Sequence, residues 1–153
     1  MNRLPLLLSL LALPACERRS APPAPPPTAS ARPAPARLPS WKSEIAPFLV
    51  VRCASERRCH GESPTGFVDL DLRAPAAWAQ LVGARAEERP GALRVKPGDP
   101  EASFLVDKLR GHLGPREGQR MPRTSAGEPG DPVEPDFLDN ALLPWIRAGA
   151  PNN

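Results

Sequence analysis

The distribution of proline limits which part of this 153-residue chain can form a packed core. Of its 23 prolines, eight lie between Ser20 and Ser40, in a stretch made mostly of alanine and proline. Proline fixes φ and removes a backbone donor, so such a stretch favours the extended polyproline II conformation and has little to bury. We therefore predict a disordered, semi-stiff linker over residues 16–40 and one folded domain over residues 41–151.

The N-terminal residues are typical of an export signal. Arg3 is followed by an apolar run that ends at Ala15, which is too short to span a bilayer comfortably. The end of the run, Leu-Pro-Ala-Cys16, resembles a bacterial lipobox. That resemblance implies that residues 1–15 are removed and that Cys16 is lipidated, which would anchor the chain to a membrane of the cell envelope. The alternative is an ordinary signal peptide with Cys16 left unmodified; both interpretations export the domain to an oxidising compartment, the periplasm or the exterior.

Charge and composition exclude some functions. The net charge of +3 is spread along the chain with Arg and Glu interleaved, and no basic stripe alternates with aromatic residues. We therefore expect no nucleic-acid partner. Ser103 has no histidine near it in sequence, and Asp69 and Asp71 are more simply explained as solvated side chains than as a catalytic pair. The sequence predicts a protein that is not an enzyme.

Helix signals recur through the domain. Ser40 is a suitable N-cap for a helix that begins at Trp41 and leads directly to Cys53. Asp99, Pro100 and Gly111 are typical of the two ends of one continuous helix. Weaker signals predict two further helices, at residues 75–82 and 136–148, with Pro144 expected to kink the last one. Residues 66–72, GFVDLDL, predict either a short strand or an extended loop held by its leucines.

The most informative motif is CASERRCHG, residues 53–61. A cysteine followed directly by histidine, with a second cysteine upstream, is typical of covalent haem attachment, for which the usual pattern is C-x-x-C-H. Here five residues separate Cys53 from Cys59. A disulfide between these cysteines is the first alternative, because export favours it. A zinc site made by Cys53, Cys59, His60 and His112 is the second, although a second paired ligand cluster is missing.

The order of motifs resembles a known family. The CHG motif is followed by PGDPEASFLVDKL, then by MP, and finally by WIRAGAP. This order looks like the small cytochrome c-like domains of exported bacterial proteins, over nearly all of residues 41–151. The resemblance implies an all-α helical domain around haem c, with thioether bonds from Cys53 and Cys59 and with iron ligated by His60 and Met121. The long spacer between the cysteines departs from the family pattern, whereas the adjacency of Cys59 and His60 is kept.

Met121 has a further argument of its own. It is one of only two methionines, and it lies in the polar loop GQRMPRTSAG, where a core role would be unusual. A thioether suits haem iron and raises its reduction potential; the alternative is a side chain that fills a gap in the core. The resulting prediction is a lipid-anchored electron carrier with a redox partner protein in the envelope. Its alternative is a haem-free, disulfide-stabilised binding or structural module.

Overall fold

The computed structural model describes residues 37–54, 59–61, 70–73, 75–124 and 126–153. All of these belong to one unit, Ala34–Asn153. The predicted signal peptide, Cys16 and nearly all of the linker lie outside the described residues. Within the described ranges, no helix is both long enough and apolar enough to cross a membrane.

Helices account for the regular structure of the described residues. No β-strand forms there, and extended segments meet only through isolated bridges such as the one between Val82 and Val95. The fold is therefore small and helical, which agrees with the predicted class at that level. In chain order the elements are a π-helical turn (Trp41–Ile45), α1 (Ala46–Cys53), α2 (Ala77–Leu81), a 3₁₀ turn (Pro100–Ala102), α3 (Phe104–Arg110), α4 (Pro135–Phe137), a π-helical turn (Leu138–Leu142) and α5 (Leu143–Arg147).

The first helical segment forms as predicted. The Ser40 hydroxyl accepts a hydrogen bond from the backbone N–H of Ser43 at 3.3 Å, so Ser40 is the N-cap. Pro47 lies near the start of α1, where its missing N–H costs little. The segment ends at Cys53, and the helix therefore delivers this cysteine to the site described below.

The helix predicted between Asp99 and Arg110 is interrupted at Ser103, so its predicted continuity is wrong. Ser103 is extended, with φ −94° and ψ 114°, and is fully buried. Its hydroxyl donates to the carbonyl of Asp99 at 2.8 Å and accepts from the N–H of Lys96 at 2.9 Å. These bonds replace helical ones. The predicted ends are confirmed: the Asp99 side chain accepts from Ala102 N–H, and Gly111 is left-handed with φ 80°.

The remaining predicted helices form with small changes. The helix predicted at 75–82 is α2, Ala77–Leu81, and Gly83 follows it with φ 72°. The last helix spans α4 to α5, with a π-helical turn just before α5, which contains Pro144. Most of the GFVDLDL segment lies outside the described residues. Leu70 and Leu72 are buried and not in a strand, which favours the loop interpretation for these residues.

The first and last helical segments pack together and form the centre of the core. The rings of Trp41 and Trp145 stack with their centroids 5.3 Å apart. Phe48 and Phe137 also stack, with centroids 3.5 Å apart. Four aliphatic side chains between these pairs are essentially inaccessible to solvent: Ile45, Leu49, Leu142 and Ile146. This packing fixes the end of α1, and with it the position of Cys53.

Candidate cofactor site

A cavity of about 590 Å³ lies beside the end of α1. This volume falls within the roughly 300–1,000 Å³ that is usual for cofactor and ligand sites. Its apolar walls include Leu72, Leu81, Phe104 and Leu109. The loop that precedes α2, the end of α2 and one side of α3 therefore all contribute to the same space.

All four residues predicted to hold haem line this cavity: Cys53, Cys59, His60 and Met121. They come from three separate parts of the chain, namely the last residue of α1, the segment 59–61 and the loop after α3. Sequence proximity explains why the first three lie together. It does not explain Met121, which is 61 residues from His60 and reaches the cavity through the fold.

The two cysteines have different surroundings. Cys53 is buried, with 8% of its surface exposed, and this burial raises the pKa of its thiol to about 12. Cys59 is only partly buried. Both thiols are free, so the structure contains no disulfide between them. The backbone N–H of His60 donates to the carbonyl of Cys53 at 2.8 Å, which holds the two ends of the motif together. Residues 55–58 lie outside the described ranges.

His60 is held in the state that a metal ligand requires. Burial lowers the pKa of its imidazole, while a hydrogen bond to the backbone of Leu70 opposes this effect only in part. The imidazole is therefore neutral at pH 7. A neutral imidazole keeps a lone pair on one ring nitrogen, and that nitrogen can ligate a metal. The His60 carbonyl accepts from Leu72 N–H at 2.9 Å, which fixes the backbone on the same side.

The zinc interpretation has no support in the structure. His112 is not part of the cavity wall; its side chain is 68% exposed and lies 3.9 Å from the carboxylate of Asp107. Among the described residues, no three His, Cys, Asp or Glu side chains group in a way that could hold a metal ion. Asp71 pairs locally with Arg73, and Asp69 lies outside the described residues.

Sequence reasoning missed the charged side chains of the cavity wall. Arg52 and Arg123 both line it, and the Nε atom of each is buried with no hydrogen-bond partner among the residues that the structure describes. On other parts of the wall, Arg94 pairs with Glu87 and Lys108 pairs with Glu88. A signal was present for the first two, because Arg52 precedes Cys53 and Arg123 follows Met121 by two residues.

Comparison with known proteins adds no further constraint: no protein-family model, curated protein or solved structure matches this chain. The assignment of function therefore depends on the residues and geometry of the cavity.

Proposed function

We propose that this protein is an electron carrier that binds one haem c covalently in the cavity beside α1. The observation that carries the proposal is that Cys53, Cys59, His60 and Met121 all line this one cavity. Two thiols, a neutral imidazole and a thioether form the donor set that c-type haem uses. The volume of the cavity and its largely apolar walls are compatible with a flat, mostly apolar cofactor.

The basic side chains at the wall also fit haem, because it carries two carboxylates. Arg52 contacts the backbone carbonyls of Asp131 and Pro132 through its terminal nitrogen, both at 3.3 Å. The same nitrogen lies 3.7 Å from a carboxylate oxygen of Glu134. Within the described ranges, the Nε of Arg52 has no hydrogen-bond partner, and neither does that of Arg123. A buried donor without a partner costs free energy, so a bound carboxylate that approached these guanidinium groups would be stabilised. We assign Arg52 and Arg123 to this role.

Each cavity residue then has a defined task. Bound haem would supply a one-electron iron couple. Cys53 and Cys59 would hold the porphyrin edge through thioether bonds. The neutral imidazole of His60 would ligate the iron, and the thioether of Met121 would favour the reduced state of the iron. Leu70, Leu72 and Leu109, all buried, would keep water away from the iron and so raise its potential further.

An absorption spectrum tests this proposal. The chain is expressed in a host that attaches haem, and we expect a Soret band and a reduced α-band that survive denaturation. Cys59→Ala should lose the pigment. Cys53→Ala is the informative comparison: pigment that remains would show a single thioether. A colourless protein with a reducible bridge between Cys53 and Cys59 would exclude electron transfer and favour the haem-free module.

Met121 has a separate test in the haem-loaded protein. Met121→Ala should lower the reduction potential and remove the weak near-infrared band that arises from sulfur bound to ferric iron. Met121→Leu keeps the volume and removes only the sulfur, so it separates ligation from packing. If both variants keep the band and the potential of the wild type, another group occupies that side of the iron.

We further propose that the domain is held at the envelope by lipidated Cys16, where it serves a redox partner protein. Support comes from the lipobox-like end of the apolar run and from the Pro-rich linker that follows it. Cell fractionation should place the wild type in the membrane and Cys16→Ser in the soluble fraction, since acyl chains would be the anchor. A wild type that is already soluble would contradict the lipoprotein assignment.

A further inference from the structure

The loop between α3 and Met121 is hydrogen-bonded to α3 itself. The chain leaves α3 at Gly111 and returns so that the backbone N–H of Met121 donates to the carbonyl of Lys108 at 2.9 Å. Residues 111–121 contain no helix. The placement of Met121 therefore depends on contacts between this loop and its surroundings.

Lys108 provides the first set of contacts. Its side chain is only 9% exposed, and its ammonium group forms an ion pair with Glu88 at 2.5 Å. The same ammonium donates to the carbonyl of Glu117 at 2.7 Å and lies 3.5 Å from that of Gln119. An ammonium has three donors, and here three acceptors surround it, two of them in the loop. Burying a charge is unfavourable unless it is paired in this way, so the loop and the ammonium stabilise each other.

Arg89 provides the second set of contacts. Its guanidinium contacts both carboxylate oxygens of Glu117, each at 2.7 Å, and the carbonyl of His112 at 3.2 Å. It also pairs with Asp107 of α3. Such two-pronged contacts fix orientation as well as distance. The guanidinium therefore bridges α3 and the loop at both ends of the segment 112–117.

Gly118 allows the loop to approach this closely. A Cβ atom at this position would lie 2.5 Å from an oxygen of Glu88 and 2.8 Å from the ammonium of Lys108, and the residue has φ +72°. Any other residue would therefore be strained and would also displace the ion pair. The backbone at Gly118 passes directly over the buried charges.

From these contacts we propose that Lys108 and Arg89 are positioning residues, which hold the Gly111–Met121 loop against α3 and thereby hold Met121 in the cavity wall. This proposal rests on the proposed function in one respect only, namely that Met121 ligates iron. The holding of the loop can be measured without any cofactor, so the two claims can fail separately.

The first experiment uses the full chain without haem and follows amide hydrogen exchange of Met121 by NMR. Lys108→Met removes the ammonium at similar length, and Arg89→Gln removes the guanidinium at a site that is more exposed. Exchange at Met121 should be about tenfold faster in each variant. Arg110→Met is the matched control, because Arg110 lies on the same helix but pairs only weakly with Glu101, at 3.3 Å; its exchange should stay within about twofold of the wild type.

The methyl group of Met121 gives a second readout in the same samples. Met121 is the only methionine besides Met1, so its signal is readily assigned. We expect this signal to move towards its random-coil position in Lys108→Met and Arg89→Gln, and to remain unchanged in Arg110→Met. If Lys108→Met fails to fold, Arg89→Gln and Gly118→Ala decide the question. Wild-type exchange and methyl shifts in these variants would overturn the proposal.

The haem-loaded protein completes the test. Both positioning variants should weaken the near-infrared sulfur band and lower the reduction potential, whereas Arg110→Met should do neither. Faster exchange with an unchanged band and potential would also overturn the proposal, because the contacts would then be merely structural. If no variant and no wild type binds haem, the proposed function fails, and the exchange rates and methyl shifts still decide whether Lys108 and Arg89 position Met121.

Discussion

The helical pair formed by residues 41–53 and 135–147 differs from the cavity wall in how its side chains are held. In the helical pair, aromatic rings stack and aliphatic side chains fill the space between them, with Trp145 and Ile146 fully inaccessible. In the cavity wall, apolar side chains face the cavity on one side, and ion pairs and backbone hydrogen bonds set the geometry.

This difference implies that the helical pair chiefly determines folding stability and that the cavity wall chiefly determines the geometry of the site. Tight packing loses several kcal/mol when a large side chain is removed, because neighbouring atoms cannot close the space. A wall that depends on hydrogen bonds and ion pairs can change its geometry at a smaller cost. Substitutions in the helical pair should therefore reduce folding stability, whereas substitutions in the wall should chiefly alter the site.

The largest effect is expected for Trp145→Ala. Trp145 is fully buried, stacks on Trp41 and donates from its indole to the carbonyl of Pro151 at 2.9 Å. We expect a loss of about 3–5 kcal/mol in the free energy of unfolding, measured by urea denaturation. Leu38→Ala is the control, because Leu38 is 47% exposed and should change stability by no more than about 0.5 kcal/mol. Equal losses in the two variants would show that this stack is not the centre of the core.

A second prediction compares one leucine from each region. Leu142 has no exposed surface and lies in the helical pair, whereas Leu72 is 3% exposed and lines the cavity. Leu142→Ala should cost about 2–4 kcal/mol, and Leu72→Ala about half as much, because a side chain at a cavity has fewer packed neighbours to lose. Urea denaturation of the chain before haem attachment measures both. A larger loss for Leu72→Ala would reverse the assignment of stability to the helical pair.

Features of the fold that depend on hydrogen bonds between near neighbours in the sequence could be predicted, and features that depend on more distant partners could not. Ser40, Asp99 and Gly111 act through hydrogen bonds within a few residues, and all three were predicted in the correct roles. The extended conformation of Ser103 was not predicted. Its cause is a hydroxyl that bonds Lys96, seven residues away, and the local helical pattern contains no sign of that bond.

The same distinction applies to the site. Sequence spacing and the family resemblance identified four of the residues that line the cavity, and their chemical roles stay predictions. The contacts around Lys108 and Arg89 were not predicted, because Arg89 and Glu117 are 28 residues apart and each looks like an ordinary surface charge in the sequence. Only the fold reveals that these charges meet under the loop that carries Met121.

Ser103→Ala should have an intermediate effect. The serine is completely buried, and its hydroxyl bonds both Asp99 and Lys96. Removing the hydroxyl leaves the Lys96 N–H without this partner, so we expect a loss of about 1–3 kcal/mol. Ser43→Ala is the control, since Ser43 is an exposed serine in the helical pair. If Ser103→Ala is as stable as the wild type, or more stable, the break before α3 does not depend on the hydroxyl.

The smallest effect concerns the dependence of stability on pH. The Arg89 guanidinium, helped by the N–H of Gly114, lowers the pKa of Glu117 from its ordinary value of 4.5 to about 2. A carboxyl whose pKa is lower in the folded state stabilises the fold fully above its unfolded pKa and loses that contribution as pH falls through the folded value. Glu117→Gln should therefore be less stable than the wild type at pH 6, and the difference should shrink between about pH 4.5 and pH 2.

Glu44, Asp71 and Asp99 also have lowered pKa values, but they are present in both proteins, so their contributions cancel in the comparison. Denaturation midpoints at several pH values measure the difference, and about 1 M salt should reduce it because Glu117 is near the surface. A difference that stays constant down to pH 2 would mean that Glu117 stabilises the loop through its shape and hydrogen-bonding atoms, not through its charge.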